Sequence, residues 1–355
     1  MTRAERDLVG PAGWQRFRLL TGALVAVTAT QFVGRIGTPE YVLDGVLQRG
    51  FLYSLTGPTG AGKTAVAVAL AAAAALGQRF AGRDTEPGRV LYVASENPAD
   101  VAVRVLAWAQ VTGVEVGLLD DGLRFVDQSF VLHEREEELH AVVEELAPSL
   151  VILDTDQAIA GSDDENANSE RIAHAKRVRG LTRASSRPCV LDLCHPPAAA
   201  TRASLRPRGG SAFLAEVDGN LGLWKEEGAD VVEVFRHSKF RGPDFEPLSF
   251  TLRTVPVEAV KDSRARPMLS VVAVPATAED DAREWKGARS RTLAVLRDVS
   301  MAPDASQRQR AESLGIPRAT LQRVLDDLTR RGALRETLTG HDVTEKGKKW
   351  LVAAL

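Results

Sequence analysis

Cysteine is nearly absent, with Cys189 and Cys194 the only two in 355 residues. That scarcity excludes a disulfide scaffold and a cysteine-built zinc module. Both lie in or beside one apolar run without ligand spacing to other residues, and they read as inert thiols of a reducing compartment. Long hydrophobic runs are missing as well. Leu19 to Val27 is too short to span a bilayer, and the first residues mix Arg3, Glu5, Arg6 and Asp7 rather than forming a basic leader. The expectation is a cytoplasmic protein without a membrane partner. There is no internal repeat, and the only biased stretch is one alanine-rich segment. Net charge is also slight, at -2, but it is unevenly spread. Residues 286–355 hold 14 Lys and Arg against 8 Asp and Glu, a net of +6, and those before them 31 against 39, a net of -8. A basic tail on an acidic body points to a polyanionic partner for the tail.

What is present is 44% hydrophobic and 26% charged, enough in 355 residues for one large core and a small extra domain. The strongest local signal is Gly57-Pro58-Thr59-Gly60-Ala61-Gly62-Lys63-Thr64, a complete GxxxxGK[ST] loop. Gly50 to Thr56 before it reads as a buried strand, and Ala65 to Leu76 after it as a helix. That order lets backbone N–H groups and a helix N-terminus converge on phosphates. Lys63 would neutralise β/γ oxygens and Thr64 would ligate Mg²⁺, so ATP with Mg²⁺ is the expected ligand pair.

From Tyr41 to Val274 apolar β runs alternate with helical stretches, as in a mostly parallel sheet flanked by helices. Strands are expected at Val90–Ala94, Leu150–Leu153 and Cys189–Leu193, and helices at Glu134–Leu146 and Ile172–Thr182. Short strands at Asn220–Trp224, Val231–Arg236 and Leu248–Leu252 read as antiparallel. The implied layout is an N-terminal helical segment (1–35), a nucleotide-binding core (36–274), a linker (275–285) and a basic domain (286–355).

Asp154 closes a buried strand, where a carboxylate can hold Mg²⁺ together with Thr64. Thr155 follows it, so the carboxylate that activates water must come from elsewhere. Glu96, ending Val90–Ala94, is the leading candidate and Asp156 its rival. His195, after Cys189–Leu193, is placed to sense a γ-phosphate. The loop behind it carries Arg202, Arg206 and Arg208, candidates for gripping a nucleic-acid backbone. Lys239 and Arg241, at i and i+2 of a strand end, share a face and could serve as fingers for a neighbouring subunit's nucleotide.

In this order the motifs resemble the RecA-like hexameric ATPases, and within them the plasmid RepA-type replicative helicases, over roughly Thr38 to Val274. The likeness rests on the GPTGAGKT loop, Ser95-Glu96-Asn97-Pro98 with Arg104, Leu153-Asp154, Asp164-Glu165-Asn166, His195, Arg208-Gly209-Gly210-Ser211 with Asp218, and Lys239-Phe240-Arg241-Gly242-Pro243. It implies a RecA-like core assembled as a homo-oligomer, a hexameric ring, around single-stranded DNA. Glu96 would be the base, His195 the sensor, Lys239 and Arg241 the fingers given to the next subunit, and Arg104 a neighbour of the adenine. One departure is that His195 meets Pro196-Pro197 and an alanine run, where the family carries polar residues and a lysine.

Residues 289–355 resemble a winged helix: three helices, a small hairpin and a final helix. Arg318, Thr320, Gln322 and Arg323 fall on the face of the third helix suited to a major groove. The function expected is an ATP-driven DNA motor. The alternatives are a regulatory or recombination-associated ATPase that uses ATP as an assembly switch, and a P-loop small-molecule kinase, for which no acceptor lid stands out.

Overall fold

The computed structural model describes residues 26–34, 37–161, 168–208, 211–226, 229–276, 292–330, 332–337 and 340–352. The N-terminal helical expectation falls mostly outside them, as do Asp164-Glu165-Asn166, Gly209-Gly210 and most of the linker. The chain divides into two units, Met1–Glu40 and Tyr41–Leu355. In the first, helix α1 (Ala29–Val33) starts from a capping box between Thr28 and Gln31.

The second unit opens with a small antiparallel pair, β1 (Tyr41–Leu43) and β2 (Leu47–Gln48). Strand β3 (Leu52–Thr56) then runs into the glycine loop and helix α2 (Lys63–Leu76). There follow β4 (Val90–Ala94), α3 (Pro98–Thr112), β5 (Leu123–Val126), α4 (Glu136–Leu146), β6 (Leu150–Asp154), α5 (Asp156–Ala160), α6 (Asn168–Leu181) and β7 (Cys189–Cys194). Helix α7 (Ser211–Glu216) leads into β8 (Gly219–Lys225), β9 (Val231–Phe240), β10 (Leu248–Lys261) and β11 (Pro267–Pro275). Among the described residues these strands form one nine-stranded sheet, ordered β11-β10-β9-β8-β3-β7-β6-β4-β5.

Side-chain alternation explains the layers. Residues 90, 92 and 94 of β4 and 150 and 152 of β6 join one apolar cluster with α2 and α3. Residues 91, 93, 151 and 153 join another, with α4 and α6. A strand buried on both faces needs this continuous apolar run, and period-2 geometry divides it between two helical layers. Alanine at eight of the fourteen positions of α2 lets that helix lie close to the sheet.

The structure departs from the sequence expectations at four strands. Strand β8 is parallel to β3, not part of an antiparallel set, which starts only at β9. The crossover that reverses the chain carries only the six-residue α7, too short to register as a helical period. Strand β10 extends nine residues beyond Leu252 to pair with β11, which the sequence reading did not assign. Strand β5 was also unassigned: it is a four-residue edge strand with exposed Arg124 and Phe125, so it lacks the expected apolar run.

Asp218, just ahead of β8, ties the sheet together. Its carboxylate accepts from the Leu52 backbone N–H at 3.0 Å and pairs with Arg179 at 3.1 Å and Arg241 at 2.8 Å. Replacing it leaves a buried donor unmatched, so Asp218→Ala is expected to cost roughly 1–3 kcal/mol. Denaturant midpoints would show it, and an unchanged midpoint would contradict the assignment.

The basic tail has its own apolar cluster, built on Val295, Leu296, Val299, Leu321, Leu325, Leu328 and Leu334. Its elements are helices α8 (292–301), α9 (Gln307–Leu314) and α10 (Arg318–Arg330), hairpin strands β12 (Leu334–Thr337) and β13 (Gly340–Val343), and helix α11 (Glu345–Val352).

Candidate nucleotide-binding site

The loop after β3 turns on glycines at positions where a side chain is disfavoured. Gly62 stands at φ +98°, a backbone region that side chains disfavour. A Cβ on Gly57 would lie 2.7 Å from the Leu223 carbonyl oxygen, so only glycine lets the loop pass β8 this closely. Lys63 opens α2 and its Nζ donates to the Gly57 and Pro58 carbonyls at 2.8 and 3.3 Å. The same ammonium lies 3.2 Å from His195 Nδ1. Against that donor Nδ1 is the acceptor, which puts the neutral ring's proton on Nε2. Thr59 Oγ1 is 3.3 Å from the same Nδ1.

Parallel register places the remaining groups, because β3, β4, β6 and β7 all end at this edge. Asp154 accepts from Thr64 Oγ1 at 3.3 Å and from Tyr92 OH at 2.6 Å. Glu96 is exposed at the rim, and its carboxylate accepts from Thr155 Oγ1 at 2.9 Å. Lys63, Thr64, Glu96, Arg104, Asp154 and His195 all line one cleft of about 280 Å³. Arg104 is held there by Asp100 at 2.6 Å and the Val271 carbonyl at 3.3 Å.

Burial governs the charges. It pushes the Lys63 ammonium down to about 8, against the pull of Asp154. It pushes the Asp154 carboxyl up to about 6, despite hydrogen bonds from Tyr92 and Thr64. Burial, then Lys63, lowers His195 and keeps it neutral. A buried ammonium and a buried carboxylate thus face one cleft, each favoured by an added charge of the opposite sign. A triphosphate with Mg²⁺ supplies both. Thr64 and Asp154 form the oxygen donor pair such an ion takes, keeping water and phosphate in its other positions.

Asp156 does not share this cleft. It is 2% exposed and turned into the second apolar layer against Arg171 and His174, so the rival for activating water is withdrawn. Arg208 lines an adjoining cleft of about 850 Å³ with Glu96, His195 and Trp224. Arg202 pairs with Glu233 and lies over the Phe235 ring, while Arg206 is exposed.

Lys239 and Arg241 lie elsewhere. Tyr53 pairs with Gly219 and Gly219 with Phe240, so the pair flanks the start of β3, whereas the glycine loop leaves its end. Lys239 Nζ donates to the Leu214 and Ala215 carbonyls at 2.8 and 2.7 Å. Arg241 follows the last residue of β9 and remains 64% exposed beside Asp218. In the tail, Arg318 is exposed, Gln322 bonds to Gln307 and Asp326, and Arg323 pairs with Glu226 of the core at 2.9 Å. The Thr320 side chain lies outside the described set.

Sequence reasoning missed Tyr92 and Thr155, the two hydroxyls that fix Asp154 and Glu96. Both occupy positions where strand and turn patterns place ordinary residues, so no local signal marks them. Among the described residues, no helix is long and apolar enough to cross a membrane.

A family model described as an AAA domain matches residues 16–195, about half of the chain. No curated protein matches it. The matched segment contains the glycine loop, Glu96 and Asp154, and it ends on His195. Such domains bind nucleotides, usually with Mg²⁺, and the match suggests ATP hydrolysis. On loop, sheet and matched length together, the chain belongs to the AAA-domain family of P-loop ATPases.

Proposed function

We propose that this protein is a Mg-ATP-dependent DNA motor of the RepA-type helicase kind, hydrolysing ATP between subunits of a homo-oligomeric, hexameric ring. One observation carries the reading: the basic pair Lys239 and Arg241 sits at the opposite end of β3 from the chain's own glycine loop. Placed there, it serves a second copy's nucleotide. Within each site Lys63, Thr64 and Asp154 hold Mg-ATP, and Glu96, oriented by Thr155, takes the proton of the attacking water. His195, within reach of both Lys63 and Thr59, reports the phosphate to the loop that follows it. Arg104 borders the end of the cleft nearest Val271, suited to the nucleoside. Mg²⁺ held by Thr64 and Asp154 would offset the charge that develops on the phosphates.

The test is ATPase rate with and without single-stranded DNA, read beside native mass with ATP bound. A monomer indifferent to DNA would overturn the proposal.

The second reading, ATP as an assembly switch without unwinding, is favoured by Arg202, whose charge is engaged by Glu233 rather than offered outward. Strand-separation assays distinguish the two readings.

The tail adds a DNA-binding winged helix to this proposal, resting on its helix order and hairpin. Its apolar cluster is separate from the core's, and every proposed catalytic group precedes residue 292. Removing residues 292–355 is therefore expected to spare basal ATP hydrolysis and to weaken duplex binding. In the full chain that binding should fall steeply with salt. Fluorescence anisotropy on a labelled duplex checks this, and unchanged affinity after truncation would assign the tail to protein contacts.

A further inference from the structure

Strand β7 carries an aspartate where its neighbours carry apolar side chains. Residues 190, 192 and 194 share one face, and Val190 and Cys194 belong to the apolar layer beneath it. Asp192 stands between them, wholly buried, and neither of its carboxylate oxygens has a hydrogen-bond partner. Burying a carboxylate without compensation costs several kcal/mol, so a cation must face it.

Three further groups converge on this point: Asp156 at the start of α5, and Arg171 and His174 of α6, all buried. Arg171 satisfies Asp156 Oδ2 at 2.6 Å. His174 Nε2 lies 2.8 Å from Asp156 Oδ1, yet off the line a ring N–H needs, and both atoms are left without a hydrogen bond. One ligand atom each from Asp156, His174 and Asp192 lie within 4.8 Å of one another.

A proton is the smallest cation available. Placed on Asp192, it pairs one oxygen with a single acceptor, Asp156 Oδ1 or His174 Nε2, and leaves the other of these and the second Asp192 oxygen unmatched. A divalent ion engages all three groups at once. Two carboxylates with one imidazole suit Zn²⁺, Mn²⁺ or Fe²⁺ rather than the all-oxygen preference of Mg²⁺ and Ca²⁺. Donors on opposite sides of such an ion stand roughly 4.2 Å apart at most, so a small contraction closes the site. Arg171, on the other oxygen of Asp156, is the outer partner that orients this ligand. With both carboxylates ionised, the ion and Arg171 leave one net positive charge, and the Phe213 ring lies 5.1 Å from the guanidinium.

We propose that Asp156, His174 and Asp192 form a buried site for a divalent first-row transition-metal ion, separate from the nucleotide's Mg²⁺. Asp156 follows Asp154 by two positions and Asp192 precedes His195 by three. The ion therefore fastens α6 to β7 and to the start of α5, just beyond β6.

The full chain, loaded with Zn²⁺ and desalted without nucleotide, is expected to retain about one equivalent by elemental mass spectrometry. Chelation should lower its melting temperature. Co²⁺ in its place should give the visible absorption of a nitrogen-ligated ion. Asp192→Asn and His174→Gln should each retain under one tenth of an equivalent, while Asp154→Asn keeps the full amount. Asp192→Val, which restores the apolar pattern of β7, supplies a folded reference whose stability ignores the chelator. Wild-type protein that holds under one tenth of an equivalent after loading overturns the proposal. Full retention by both Asp192→Asn and His174→Gln overturns it equally.

Discussion

Arg241→Ala is expected to bind Mg-ATP as the parent does and to hydrolyse it about 1,000-fold more slowly, the scale on which supplied arginine fingers act. The substitution leaves the protein's own cleft untouched, because Arg241 flanks the far end of β3. It also leaves Asp218 its bonds to Leu52 and Arg179, so the fold is retained. Mixing Arg241→Ala with Lys63→Ala subunits gives the decisive measurement. Where an intact glycine loop meets an intact finger, turnover returns, although neither variant is active alone. No rescue in mixtures that native mass spectrometry shows to be mixed oligomers would sink the intersubunit reading.

Glu96→Gln separates chemistry from binding. Glu96 sits at the rim, its carboxylate accepting from Thr155, whereas Lys63 bonds to Gly57 and Pro58 and Thr64 to Asp154. Its amide variant should keep ATP affinity while losing about 100- to 10,000-fold in turnover, the range typical of a lost general base. Lys63→Ala, by contrast, should lose both, because Nζ is the cation at the centre of the loop. Equilibrium binding of a fluorescent ATP analogue, read beside single-turnover hydrolysis, distinguishes the two. Near-normal turnover in Glu96→Gln would remove that residue from the role, and Asp156, buried beside Arg171, could not replace it.

The nucleotide-binding end was legible because its chemistry is written in contiguous residues. A glycine loop between an apolar strand and an alanine-rich helix leaves one arrangement, and parallel register then carries Glu96, Asp154 and His195 to the same edge. Long-range pairing was less legible. The direction of β8 depends on a crossover whose helix is six residues long, and β11 becomes a strand only because β10 extends to meet it. Polar networks were least legible. Tyr92, Thr155 and His174 face groups 18 to 62 positions away and the Asp192 carboxylate has no hydrogen-bond partner, and one-dimensional spacing does not encode such meetings.

A block with its nucleotide loop at one end of a strand and its basic pair at the other has a head and a tail. In the ring proposed above head meets tail, so every contact would be of the heterologous kind, closing into a cycle or running on as a filament according to the turn between copies. The number of completed sites then depends on assembly. An open row always carries one site fewer than it has chains, whereas a closed cycle carries as many sites as chains. Activity per chain should thus climb with concentration as rows lengthen and become level once they close. The shape of that curve reports the topology of the assembly without an image of it.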